Sequence, residues 1–154
     1  MAFREKMLWA SLASTLAIWG WYFWGFAGAV RAGRFDQAME TGDFILAIVL
    51  LVIVHIVLAV VLALMSGRDA QSPADDREKA IALLGYRSAY VTLSLIVVML
   101  MITGPVLLRI AAEWTPAFPH GMAPVLTGNT LLAALVIAEV ANSVTQLIRF
   151  RMEG

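Results

Sequence analysis

Four stretches of this chain, at about 7–29, 43–65, 87–110 and 123–148, are almost free of charge, and each supplies the roughly 20 apolar residues that a helix needs to cross a hydrocarbon layer. In lipid no water is at hand to satisfy backbone N–H and C=O groups, so a span must bond internally as a helix or close as a barrel. Continuous apolar runs of this length select the helix. The chain has 154 residues, 61% of them hydrophobic, so the four segments leave only short connections and tails and no room for a separate soluble catalytic domain. The expected fold is all-α: one polytopic domain over residues 1–154, with four transmembrane helices arranged as two hairpins.

Lysine and arginine set the expected orientation. Arg4, Lys6, Arg68, Arg77, Lys79, Arg87, Arg149 and Arg151 fall on one side of such a bundle, against Arg31, Arg34 and Arg109 on the other. The positive-inside bias therefore places both termini in the cytoplasm, in what reads as a bacterial inner membrane. Ala27-Gly28-Ala29 resembles a signal-peptidase site, but the preceding run is long and rich in tryptophan, and it reads as a retained first helix. Trp19, Trp21, Tyr22, Phe23 and Trp24 suit an aromatic anchor at the outer boundary.

Two side chains break the apolar pattern. Glu139 is the only carboxylate well inside the four segments, and His55 is the only strongly polar side chain within the second. An ionisable group at membrane depth is costly, and it faces a bundle interior, finds a partner or serves a function. His55 lies 13 residues beyond Gly42 and Glu139 lies 11 beyond Gly128, so at 1.5 Å per residue their depths differ by only about 3 Å. Asn142, Ser143 and Gln146 follow Glu139 at helical spacing and give the fourth helix a polar face. His55, Glu139, Asn142 and Ser143 are accordingly the candidate ligand-binding or proton-linked residues. They also suit a hydrogen-bond cluster that fixes helix register. A haem between His55 and Met99 or Met101 is a weaker reading, because methionine at that spacing is ordinary packing. The other histidine, His120, sits in the Pro-rich outer loop. No cofactor is expected.

A weak internal repeat aligns Thr41-Gly42-Asp43 with Thr127-Gly128-Asn129, and Arg4-Glu5-Lys6 with Arg77-Glu78-Lys79. It implies that the second and fourth helices are equivalent and face each other, with Asp43 and Asn129 capping their N-termini. In the third helix, Thr103-Gly104-Pro105 predicts a kink. At its inner end, Ser72-Pro73-Ala74-Asp75-Asp76-Arg77-Glu78 reads as a capped start, so the helix is expected over 75–110 with a cytoplasmic extension.

The segment Asp75-Asp76-Arg77-Glu78, followed by Arg87-Ser88-Ala89-Tyr90, resembles the signature of a family of small four-helix bacterial membrane proteins of unknown function. That family carries an Asp-Glu-Arg-Glu-type loop motif and an Arg-x-x-Tyr entry into helix three; Asp76 stands where it commonly has Glu. The last helix, with Glu139, Arg149 and Arg151, is similar as well. Members resemble partners of small helix-turn-helix regulators. The resemblance thus implies a membrane receptor that holds or releases a soluble cytoplasmic regulator, through Asp75, Asp76, Arg77, Glu78 and Arg87.

Other functions are limited by what the chain lacks. Without cysteine there is no disulfide, thiolate chemistry or zinc–thiolate site, and a net charge of zero argues against direct binding of nucleic acid. No nucleophile or set of metal ligands converges in the sequence, so the chain is not expected to be an enzyme. The alternative function is a small proton, ion or small-molecule transporter subunit using a His55–Glu139 layer. Four helices barely enclose a path, which would call for a homodimer.

Overall fold

In the computed structural model, residues 3–34, 36–67, 72–114 and 122–152 are described, with the backbone alone at 111–114. They form four α-helices: α1 (Phe3–Arg31), α2 (Gln37–Ser66), α3 (Asp76–Trp114) and α4 (Met122–Met152). Arg68 and His120 lie outside the described residues. The helices α2, α3 and α4 are each long and apolar enough to cross a membrane. With Trp9, Trp19, Trp21, Trp24 and Tyr22 among its residues, α1 has the length but falls outside that set.

Local chemistry sets the helix ends. At the end of α1 the N–H of Arg34 bonds to the Ala29 carbonyl at 3.1 Å and that of Gly33 to Val30 at 3.2 Å. This is a Schellman closure, and Gly33 supplies the positive φ of 63° that it needs. Two residues after this closure, Asp36 caps α2: its Oδ1 accepts from the N–H of Ala38 at 2.8 Å and of Met39 at 3.4 Å. The cap is therefore Asp36 and not Asp43, which lies inside the helix. Asn129 is likewise interior to α4 and sends its amide N–H to the Val125 carbonyl at 3.0 Å. Neither Thr-Gly pair begins a helix, because the true boundaries lie further upstream.

For α3 the capped start is present. Asp75 Oδ1 accepts from the Glu78 N–H, and Glu78 Oε2 accepts from the Asp75 N–H at 3.2 Å, a reciprocal capping box. The helix then runs unbroken through Pro105, and Thr103 Oγ1 donates to the Met99 carbonyl at 2.8 Å.

The packing has an inner pair and two outer helices. α1 packs on α2 and on α4, α3 packs on α4, and the remaining contacts between helices are slight. Burial agrees: 28% of the most apolar stretch of α4 is covered by the rest of the chain, against 6% for α2 and none for α3. Most of the apolar surface of α2 and α3 thus faces outward, as suits lipid or another subunit. On α1 the covered residues Leu12, Thr15, Trp19 and Tyr22 recur every three or four positions and mark a single inward stripe. Trp19 and Tyr22 pack edge to face at 5.7 Å, and with Ala47 they form a core where α1, α2 and α4 converge.

Candidate functional site

Among the described residues, a hydrogen bond between side chains joins each of the three packed helix pairs. Between α1 and α2, Ser11 Oγ lies 2.9 Å from His55 Nε2. The other ring nitrogen, Nδ1, lies 2.8 Å from the Leu51 carbonyl, which can only accept, so the neutral imidazole carries its proton on Nδ1 and Nε2 accepts from the serine hydroxyl. Between α1 and α4, the Tyr22 hydroxyl donates to Asn129 Oδ1 at 2.8 Å. The third bond, between α3 and α4, runs from Thr145 Oγ1 to Ser88 Oγ at 3.0 Å. A polar group in an apolar environment gains most when its only alternative is to go unsatisfied, so these bonds fix which faces of the helices meet.

The polar face of α4 is divided. Asn142 and Ser143 are buried, whereas Glu139 is exposed on the surface of the chain. Its carboxylate accepts only long bonds from its own helix, at 3.4 and 3.5 Å from Asn142 Nδ2 and 3.5 Å from Ser143 Oγ. Gln146 Nε2 donates to Asn142 Oδ1 at 2.8 Å. Against this pair sits Gly85 of α3, buried, where a Cβ would come within 2.7 Å of Gln146 Cγ and 2.8 Å of its Nε2, and closer still to Asn142 Oδ1. Glycine is what lets the two backbones meet here.

His55 and Glu139 are not joined. No hydrogen bond or ion pair links them; His55 is bound into the α1–α2 seam, while Glu139 bonds only within α4. The layer anticipated from their similar depths is replaced by two separate polar seams, because α2 docks mainly on α1. Both nitrogens of His55 are engaged, and Met99 and Met101 are 58% and 73% exposed on α3, which packs on α4 and only slightly on the other helices, so the histidine–methionine pair does not form. Among the described residues, no group of three His, Asp or Glu side chains comes together that could hold a metal ion.

A second polar cluster lies where the start of α1, the start of α3 and the end of α4 meet. Arg4 Nε pairs with Glu78 Oε2 at 2.9 Å, and its guanidinium reaches the Ser72 carbonyl at 3.5 Å. Asp75 is occupied in the cap, and Asp76 pairs with Lys79 at 2.9 Å in full solvent. All three acids singled out for partner binding, Asp75, Asp76 and Glu78, are thus engaged within the chain, Asp76 in solvent. Arg77 and Arg87 are exposed. So are Leu83, Tyr86 and Tyr90, 66–73% open, on one face of α3 at spacings of three and four. At the same end the Arg151 guanidinium lies 5.5 Å from the centre of the Trp9 ring.

Sequence reasoning missed Ser11, Ser88, Gly85 and Glu40. Small hydroxyls and glycines recur throughout membrane helices, and nothing local marks the ones that meet a neighbour. Glu40 falls in a stretch that reads as a loop, although it lies in the first turn of α2 and is 92% buried. Comparison of the chain with protein-family models, with curated proteins and with solved structures gives no match in any of the three.

Proposed function

We propose that this chain is a multi-pass receptor of the bacterial cytoplasmic membrane, without enzymatic activity, that binds a soluble cytoplasmic regulator. In this reading α1 is the fourth span, the helices form two hairpins, and both termini lie in the cytoplasm. Support for a fourth span comes from the inward stripe of α1, which runs beside two apolar helices. The eight cationic residues assigned to the terminal side against three on the other support the orientation.

One observation carries the receptor reading. The cytoplasmic extension of α3 and the first turn of its span present Leu83, Tyr86, Arg87 and Tyr90 outward as a single face that no other helix of the chain covers. An aromatic and arginine face of this kind suits the groove or helix of a protein partner. A helix-turn-helix identity for that partner rests on the resemblance of the Asp75–Glu78 and Arg87–Tyr90 segments alone. Regulation requires a ligand or membrane state that favours one packing of the helices over another. The Ser11–His55 seam and the Glu139, Asn142, Ser143 group are the places where such packing would change. Exposure of Glu139 beside Leu131 and Leu135, at steps of four along α4, favours a homodimer that covers it.

The test is a pulldown of soluble proteins with tagged, detergent-solubilised chain, comparing wild type with Tyr86→Ser/Arg87→Glu. This variant leaves the cap and the Arg4–Glu78 pair intact, so loss of a specific protein from the eluate supports docking on this face. Identical eluates from wild type and variant overturn it.

A further inference from the structure

At the end of the bundle opposite the chain termini, α1, α2 and α4 border an open recess of about 230 Å³ lined by Tyr22, Glu40, Thr41, Phe44, Asn129 and Leu132 among others. We propose that this recess binds an organic ammonium ion, with its charge on Glu40 and its apolar body against Tyr22 and Phe44.

Glu40 is the first reason. Its residue is 92% buried and lines the recess, yet its carboxylate has no hydrogen bond or ion pair among the described residues, and neither Arg31 nor Arg34 of the adjoining turn reaches it. The rest of the residue is covered while its carboxylate oxygens keep some access and no protein cation among those residues, so a cation that enters with its own donors gains a charged partner there. Asp36 and Asp43 add negative charge at the same helix start, though both are exposed.

Donor bookkeeping is the second. The Tyr22 hydroxyl proton goes to Asn129, an Asn129 amide proton to the Val125 carbonyl, and the Thr41 hydroxyl proton to the Gln37 carbonyl at 2.7 Å. What remains is mostly acceptors, two carboxylate oxygens and the lone pairs of two hydroxyls, beside the second amide proton of Asn129. A ligand that brings donors is therefore favoured. Anions and acceptor-only ligands are disfavoured.

Aromatic walls are the third. Tyr22 and Phe44 have ring centres 6.1 Å apart, and Trp19 lies 6.3 Å from Phe44. Rings beside a carboxylate favour an alkylammonium, whose apolar body can lie on them, over a hard metal ion, which prefers a shell of oxygens. Both a free amine and the ethanolamine headgroup of a phospholipid carry this chemistry. The site does not depend on the receptor reading.

The experiment titrates 2-phenylethylammonium and its neutral counterpart 2-phenylethanol into full-length protein in phosphatidylglycerol nanodiscs, followed by calorimetry and by Trp fluorescence. The amine should bind saturably and at least about tenfold tighter than the alcohol. Glu40→Gln should abolish that preference, and Glu40→Asp, which keeps the charge but retracts it, should weaken amine binding while retaining some preference. Should Glu40→Gln fail to give monodisperse protein, Phe44→Leu with Glu40 intact should weaken the amine severalfold. Repeating the titration with phosphatidylethanolamine in the nanodisc assigns the source: competition indicates the headgroup, and its absence a free amine. Equal affinity for amine and alcohol, an unchanged preference in Glu40→Gln, or no amine binding to the wild type overturns the proposal.

Discussion

Replacing Gly85 by alanine adds a single methyl group where α3 packs tightly against Asn142 and Gln146 of α4. That Cβ would stand within 2.8 Å of both Cγ and Nε2 of Gln146 and nearer still to Asn142 Oδ1, inside the separation that carbon atoms tolerate. Gln146 is long and can swing aside, but doing so breaks its 2.8 Å bond to Asn142, which is 93% buried and has little room to follow. Overpacking of this kind costs about 1–3 kcal/mol, and a hydrogen bond inside a membrane bundle adds roughly 0.6 kcal/mol. A destabilisation of about 2 kcal/mol is expected, or a fall in Tm of about 4–8 °C for a chain of this size. Thermal unfolding in detergent, read by near-ultraviolet circular dichroism, measures it. The deciding comparison is a double-mutant cycle with Gln146→Ala, which clears two of the three close contacts: the alanine should then cost at least about 1 kcal/mol less than in the wild type. A Gly85→Ala protein as stable as wild type, or strictly additive costs across the cycle, would falsify this account of the α3–α4 seam.

The other seams give parallel expectations. Ser11→Ala leaves His55 Nε2 without its donor and should cost about 1 kcal/mol, with His55→Ala costing less in that background than alone; equal costs of His55→Ala in both backgrounds would show that the bond carries nothing. Glu78→Gln removes the partly solvated Arg4 pair and should cost under about 1 kcal/mol at low ionic strength, shrinking further in roughly 0.5 M salt; a salt-independent loss would mean that Glu78 acts chiefly through the cap. The chain has no cysteine, so single cysteines report topology directly. Arg34→Cys should react with a membrane-impermeant maleimide in intact cells and Asp76→Cys only after permeabilisation, and the reverse pattern would invert the proposed orientation.

Helix number was legible because long uncharged runs leave few alternatives, and the capped start of α3 was legible because Asp75 and Glu78 sit at the spacing of a capping box. Rotation of the helices about their axes was not. A helix apolar all round carries no stripe to say which side faces a neighbour, so His55 could be named as the odd residue of α2 while its partner, Ser11 among several small hydroxyls of α1, could not. Depth was a poor guide to pairing for the same reason: it fixes position along an axis and says nothing of direction around it. On α4 the spacing of Glu139, Asn142 and Ser143 did identify a polar face, but it lies on the border between covered and open surface. Asp43 and Asn129 were misread as caps because glycine after threonine looks like a break, and apolar helices carry such pairs in their interiors.

The bond from Tyr22 to Asn129 spans 107 residues, and it ties the first helix made to the last. At a synthesis rate of about 5–20 residues per second, Tyr22 waits roughly 5–20 s for its acceptor to be translated. His55, 44 residues after Ser11, arrives sooner and can fasten α1 to α2 while the rest of the chain is still being made. Alone of the four, α1 falls outside the helices long and apolar enough to cross a membrane, so its place in the bundle leans on its bonds to the others. Its final seating is therefore an act of completion: a chain truncated before α4 leaves the Tyr22 hydroxyl without its acceptor, so the defect falls on the first helix, far from the site of truncation.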